Sequence, residues 1–300
     1  MEYPDDLREK IESDIRLTGE ILERHRGLAE GKLVALDWAG IGDSLCFTRL
    51  MLQHLMAKRK ILWITRPIVA GLFKDDPLME VVPGFKFEYR DPSIPWAVGK
   101  AIPEIDRKFR NCFPDNERLH VGMCVADHFL HRGGVTTNLA DFFFEACGVQ
   151  RDFSMRHSLV HLGKTPLDGK YVVIEPQGVS CGWLSLDECS LLSQKLSKLG
   201  IGIVSLGGDS CPEVPGVVAK RGLSLYDSFS IVKGAVGFVG KSSGNQALMC
   251  FLGGSGIPLF EAPCGSGASH ASYRTYDKVI PVTDAFSDQV FSYYQDGGKR

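Results

Sequence analysis

The chain has no CxxC pair, no apolar run approaching the ~20 residues that cross a membrane, and no surplus of basic residues. Each absence removes a class of protein. With 34 Lys and Arg against 36 Asp and Glu, the net charge is −2. That leaves no basic field for nucleic acid, and no nucleic-acid partner is expected. The start, MEYPDDLREK, is acidic and polar, unlike a signal peptide. Nine cysteines, an odd number, are scattered through apolar stretches. They read as buried free thiols in a reducing cytoplasm, not as disulfides or a zinc site. No Gly-x-Ser-x-Gly nucleophile turn occurs. A dinucleotide fingerprint begins at Gly40-x-Gly42 but has Leu45 where its third glycine belongs. A nicotinamide-dependent enzyme stands as an alternative, with Arg66 placed to meet a 2′-phosphate.

What is present is an ordinary globular composition, 44% apolar and 23% charged over 300 residues. That length suits two domains of about 130–150 residues. Apolar runs alternate with helical patterns, as a parallel α/β sheet requires. Strands are expected at 33–38, 60–65, 79–82 and 118–123, with helices at 5–27, 43–58 and 137–147. The stretch 67–114 holds seven of the fifteen prolines and reads as loops and short helices. After a linker between 150 and 169, strands are expected at 171–176, 201–207, 217–220, 235–240, 257–262 and 278–282. Helices are expected at 185–199, 224–233, 244–252 and 284–294. The divisions are an N-terminal helical extension (1–30), a first Rossmann-like domain (31–162), a second (163–283) and a C-terminal helix (284–300) returning to the first. The extension packs on its domain or joins two copies as a homodimer.

Lys32 to Leu55 reads as a buried strand that stops at Gly40-Ile41-Gly42-Asp43, where a helix begins. A comparable strand–turn–helix recurs at Ser242-Ser243-Gly244. Open α/β proteins bind ligands at such edges, and two of them suggest a two-domain enzyme with a cleft.

Three segments together resemble glycosyltransferase family 9, the ADP-heptose:lipopolysaccharide heptosyltransferases: AGIGDSLCFTRLMLQHL, VVIEPQGVSCGWLSLDECSLLSQKLSKLGIGIVSLGG and LSLYDSFSIVKGAVGFVGKSSGNQALMCFLGGSGIPLFEAP. The resemblance runs from about 32 to 265. It implies a GT-B fold, two doubly wound α/β domains facing a cleft. It also implies a nucleotide-sugar donor in the C-terminal domain and a glycan or other hydroxyl acceptor, lipopolysaccharide core being usual, in the N-terminal domain. Transfer would be inverting, with no required metal or cofactor. Three positions depart from the family pattern: Cys181 stands for a Lys, Ser242 for an Asp and Ala247 for a His. The donor site is therefore altered. A GT-B scaffold that binds a nucleotide sugar or a protein without transfer is the second reading.

Inverting transfer needs a base for the acceptor hydroxyl, donors for the leaving diphosphate, and a dry site. Asp43 is the candidate base on the resemblance, or else the N-cap of its helix, a role that would weaken it as a base. Gly42 adjoins it. Ser242, Ser243 and Gly244 would offer N–H groups to the donor diphosphate, or simply cap a helix. Lys241 would replace the missing ammonium, or is a solvated strand end. Gly178, Ser180 and Gly182 would let backbone approach the diphosphate. Trp183 reads as a packing anchor ahead of a stacking residue. Gly208 and Asp209, with Glu213 nearby, would meet ribose hydroxyls or form a plain turn. Arg66, and His131 with Arg132 in a loop, would meet an anionic acceptor or lie idle at the surface. His128 and His131 lack a third partner for a metal.

Overall fold

The computed structural model describes residues 5–37, 44, 48–56, 59–73, 76, 79–84, 94–132, 139–150, 167–178, 182–241, 257–263 and 279–298. It divides into two compact units, Met1–Met155 and Arg156–Arg300.

Among the described residues, the first unit is built on four parallel strands: β1 (Leu33–Leu36), β2 (Ile61–Thr65), β3 (Glu80–Pro83) and β4 (Arg118–His120), in the order β3-β2-β1-β4. β1 and β2 are buried along their whole length. Their unbroken apolar runs suit a parallel sheet covered on both faces. The helices are α1 (Asp5–His25), α2 (Arg49–Met56), α3 (Pro67–Phe73), α4 (Ile94–Cys112), α5 (Val121–Arg132) and α6 (Leu139–Ala146). Leu22 of α1 joins Val34, Leu36, Leu62 and Ile64 of the sheet and Ile105 and Phe109 of α4 in one core. The N-terminal helix thus lays its apolar stripe on its own unit, along α4.

Two elements differ from expectation. The stretch 67–114 contains the 19-residue helix α4, with Pro103 inside it. Pro103 is exposed, while Ile105, Phe109 and Cys112 are buried. Burial beneath α1 outweighs the ~3 kcal/mol an interior proline costs a helix. The strand expected at 118–123 ends at His120, and α5 begins at Val121.

Among the described residues, the second unit carries six parallel strands: β5 (Tyr171–Glu175), β8 (Gly202–Gly207), β9 (Val218–Arg221), β10 (Gly237–Gly240), β11 (Leu259–Glu261) and β12 (Val279–Pro281). Their order is β12-β11-β10-β5-β8-β9. All six fall where the sequence pattern sets them. Between β5 and α7 (Leu186–Ser197) lies a short antiparallel hairpin, β6 (Gln177–Gly178) with β7 (Gly182–Trp183). Ser185 and Ser224 cap α7 and α8 (Leu225–Gly234) through their hydroxyls, which accept from the N–H groups of Glu188 and Asp227. The helix expected at 244–252 lies outside the described residues.

The last helix, α9 (Phe286–Gln295), packs within the second unit. Phe286, Val290 and Tyr293 complete the core around Val172, Ile174, Val239 and Phe260. The Tyr294 hydroxyl donates to the Val236 carbonyl (2.9 Å), and Lys195 of α7 meets Asp288 at 2.8 Å. Its apolar face has a partner here, which sequence periodicity alone does not name. Among the described residues, no helix is long and apolar enough to cross a membrane.

Candidate functional site

Each sheet reverses its winding once. In the first unit the reversal lies between β1 and β4, and in the second between β5 and β10. In doubly wound folds, ligands bind beyond the carboxyl ends of the strands at that point.

In the first unit, the edge is lined by Asp37, Thr65 and His120 at the ends of β1, β2 and β4, all buried. The Asp37 N–H donates to the Ile64 carbonyl (2.9 Å), so the sheet pairing reaches this far. Gly42 and Asp43 follow in sequence, outside the described residues. Arg66 follows β2, half-buried, and its carbonyl accepts the N–H groups of Val69 and Ala70 at 2.9 and 2.8 Å at the start of α3. Its position beyond a carboxyl end is the one the sequence predicts. His131 and Arg132 are not in a loop; they form the last turn of α5. His131 Nδ1 donates to the Asp127 carbonyl of its own helix (2.8 Å). His128 packs edge-on against Phe142 at 4.8 Å and stands 3.7 Å from Glu145, joining α5 to α6. The two histidines therefore serve different partners. Among the described residues, no three His, Cys, Asp or Glu side chains converge as a metal site.

Sequence reasoning missed the charged network beneath this edge. His120 Nδ1 donates to Asp106 Oδ1 (3.0 Å), and Arg110 Nε donates to Asp106 Oδ2 (2.6 Å). The His120 hydrogen bond, with help from Arg110 and against the cost of burial, holds the Asp106 carboxyl below the usual range. Arg49 and Asp76 form a buried ion pair. The Cys124 thiol of α5 and the Cys147 thiol, just past α6, act on each other: their interaction lowers the Cys124 pKa and raises that of Cys147, which burial and the Asp37 carboxylate raise further. Arg110 and Asp106 are four positions apart on α4, but the His120–Asp106, Cys124–Cys147 and Arg49–Asp76 pairs join residues 14 to 27 positions apart, and nothing in a local pattern announces them.

In the second unit, the edge at the reversal is better described. Glu175 ends β5 level with Gly240 of β10, so Lys241 emerges beside Pro176. The Lys241 side chain is only 13% exposed, and its Nζ stands 3.8 Å from Asp284 Oδ1. It is neither a free solvated lysine nor remote from the edge. Gly178 and Gly182 face each other in the hairpin, and Gly182 takes φ +77°, where a side chain would strain the backbone. Ser180, Ser242, Ser243 and Gly244 lie outside the described residues. Gly208 and Asp209 follow β8, both exposed, as does Glu213 further on. Arg221, at the end of β9, holds this loop: its guanidinium donates to the carbonyls of Ser205 (2.7 Å), Pro212 (3.0 Å) and Cys211 (3.3 Å). Trp183 is 47% exposed and is not the packing anchor expected; its neighbour Leu184, 3% exposed, takes the core position.

No protein-family model matches the chain, and no curated protein sequence is significantly similar to it. Solved structures are similar. The Escherichia coli heptosyltransferase WaaC with ADP aligns over 88% of this chain and 99% of its own, with TM-score 0.59 and 13% identity. A glycosyl transferase of family 9 from Veillonella parvula aligns over 90% and 92%, with TM-score 0.56 and 13% identity. The iron-containing dodecameric glycosyltransferase TibC from enterotoxigenic E. coli gives TM-score 0.50 and 14% identity over 77% of this chain. The chain spans 57% of the length of TibC. At these identities the likeness establishes the architecture: two parallel α/β units in the GT-B fold of these glycosyltransferases.

Proposed function

We propose that this protein is a glycosyltransferase that moves a sugar from a nucleoside-diphosphate donor to an acceptor hydroxyl, with inversion at the anomeric carbon. The second unit holds the donor and the first the acceptor. The observation that carries the reading is Lys241, a nearly covered cation beyond the carboxyl end of β10, level with the end of β5 where the second sheet reverses. A cation there suits a diphosphate, and the fold shared with heptosyltransferase WaaC, solved with ADP, agrees with it.

In the proposed step, the acceptor oxygen attacks the anomeric carbon from the face opposite the diphosphate. Its proton passes to Asp43, and the bond from the anomeric carbon to the diphosphate oxygen breaks. Lys241, with the backbone N–H groups of Ser242, Ser243 and Gly244, takes up the charge that develops on the leaving group. Gly178, Ser180 and Gly182 leave room for the diphosphate, and Gly208 and Asp209 serve the ribose. Gly42, Arg66, His131 and Arg132 are proposed on the acceptor side, where a phosphorylated sugar such as that of a lipopolysaccharide core suits their charge. No cofactor is assigned. The reading sets the protein in the cytoplasm, where nucleotide sugars are available.

The test is turnover of nucleotide sugars identified by a thermal-shift screen, with Asp43→Asn beside the parent. Transfer falling by about 10²–10⁴-fold while donor affinity holds supports Asp43 as base. Unchanged transfer removes it. A second reading, binding without transfer, draws on Asp284, whose carboxylate already stands near Lys241. Donor binding with no turnover across many acceptors would favour it.

A further inference from the structure

We infer that Gln177 and Trp183 form the seat for the base of the nucleotide; this rests on the donor reading above. The two residues are directly opposite in the β6–β7 hairpin. Directly paired residues of antiparallel strands project to the same face, so an indole ring and a carboxamide stand side by side. Trp183 is 47% exposed although Leu184, the next residue, is in the core. An exposed tryptophan forgoes the gain its large apolar surface would bring on burial, and such rings are the ones that partners cover.

The hairpin is anchored at its base. The Leu184 N–H donates to the Pro176 carbonyl at 2.7 Å, closing it onto the end of β5. Ser185 then caps α7 at once. Gly182, at φ +77°, sets the backbone that leads into the tryptophan. A preorganised ring loses little freedom when it is covered. The hairpin also starts at the reversal point: Gln177 is two residues past Glu175, and Lys241 is one past Gly240, its partner. A ligand whose diphosphate meets Lys241 therefore has a flat π-surface and an amide close by.

That combination fits a nucleobase. Every base has a face that stacks on an aromatic ring, and a carboxamide matches a base edge that presents a donor beside an acceptor. Sugar faces also cover aromatic rings, and the experiment separates the two.

The full chain is titrated calorimetrically with ADP, UDP, GDP and inorganic pyrophosphate, and with the corresponding nucleotide sugar. At least one nucleoside diphosphate is expected to bind the parent more tightly than pyrophosphate does. Trp183→Ala should weaken that nucleotide about tenfold or more and leave pyrophosphate within about twofold. Trp183→Phe should restore most of the loss, and Gln177→Ala should change the ranking of the three bases. Because Trp183 is exposed, both tryptophan variants should keep the parent melting temperature. Nucleotide affinity unchanged in Trp183→Ala overturns the seat and leaves the donor reading standing. Equal weakening of nucleotide and pyrophosphate also overturns it, since the ring would then act on the loop. Weakening of the nucleotide sugar alone reassigns the ring to the sugar and overturns the base. A parent that binds no nucleotide overturns the donor reading itself.

Discussion

Arg49 and Asp76 face each other across the first unit as a buried ion pair, with Arg49 Nη2 at 2.7 Å and Nε at 3.0 Å from the same carboxylate oxygen, Oδ2. Their side chains are 1% and 4% exposed, and the guanidinium lies over the Phe73 ring at 5.5 Å from its centroid. Burial lowers the Arg49 pKa, with Asp76 opposing the shift. Arg49 opens α2. Removing one partner strands a buried charge. Arg49→Met or Asp76→Asn should cost about 3–5 kcal/mol by urea denaturation. Changing both together should cost less than the sum, and additive losses would show that the pair is not coupled.

Lys241 and Asp284 make the opposite kind of contact, loose and half in water. Asp284→Asn should free the lysine and tighten binding of a nucleoside diphosphate. Lys241→Met should weaken it by about 1.5–3 kcal/mol, the worth of a charged hydrogen bond. Isothermal calorimetry on the two variants decides the matter. Movement in the same direction would detach the lysine from the ligand.

The two thiols at the end of the α5–α6 pair should differ in reactivity. The interaction of the two thiols favours the Cys124 thiolate and suppresses that of Cys147. Iodoacetamide at neutral pH, followed by peptide mass spectrometry, should mark Cys124 before Cys147. Cys147→Ala should slow the labelling of Cys124 by raising its pKa. Cys112 and Cys189, raised by burial to about 11 and about 12, should stay unlabelled in the folded chain.

Asp106 sets an acid limit. Its carboxyl is held below the ordinary value in the folded state, chiefly by His120. The unfolded chain therefore takes up that proton first as pH falls. The stabilisation is complete above the ordinary carboxylate value of about 3.9 and is lost as pH falls through the lower folded value. Melting curves from pH 6 to pH 2 should steepen in their loss of stability below about pH 4. Asp106→Asn should flatten that segment. Because Asp106 also pairs with Arg110, part of the effect should fade in high salt.

The sheets were legible because parallel strands buried on both faces write themselves as unbroken apolar runs. Leu33–Leu36, Ile61–Thr65 and Tyr171–Glu175 are of that kind. The long helix α4 was hidden by Pro103, since its stability comes from α1, far off in sequence. The change from β4 to α5 at Val121 carries no capping residue to mark it. Lys241 was legible as a strand-end cation, although its partner Asp284 was not. Trp183 departs from the packing role that a tryptophan beside core residues suggests, because Leu184 takes the core position and leaves Trp183 exposed. Asp43, Ser180, Ser242, Ser243 and Gly244 are expectations from the sequence that lie outside the described residues.

The closing position of α9 has a consequence for how the molecule is made. Gly237 in β10 sits so close to the Tyr294 hydroxyl that any side chain there would collide with it. Phe260 of the neighbouring strand lies edge-on against Tyr293 at 5.2 Å. The core that α7 and α9 share over the inner strands of the second unit is thus completed only when the last helix has been synthesised. The first unit has all its described elements in hand by residue 146 and is free to settle while the ribosome is still at work.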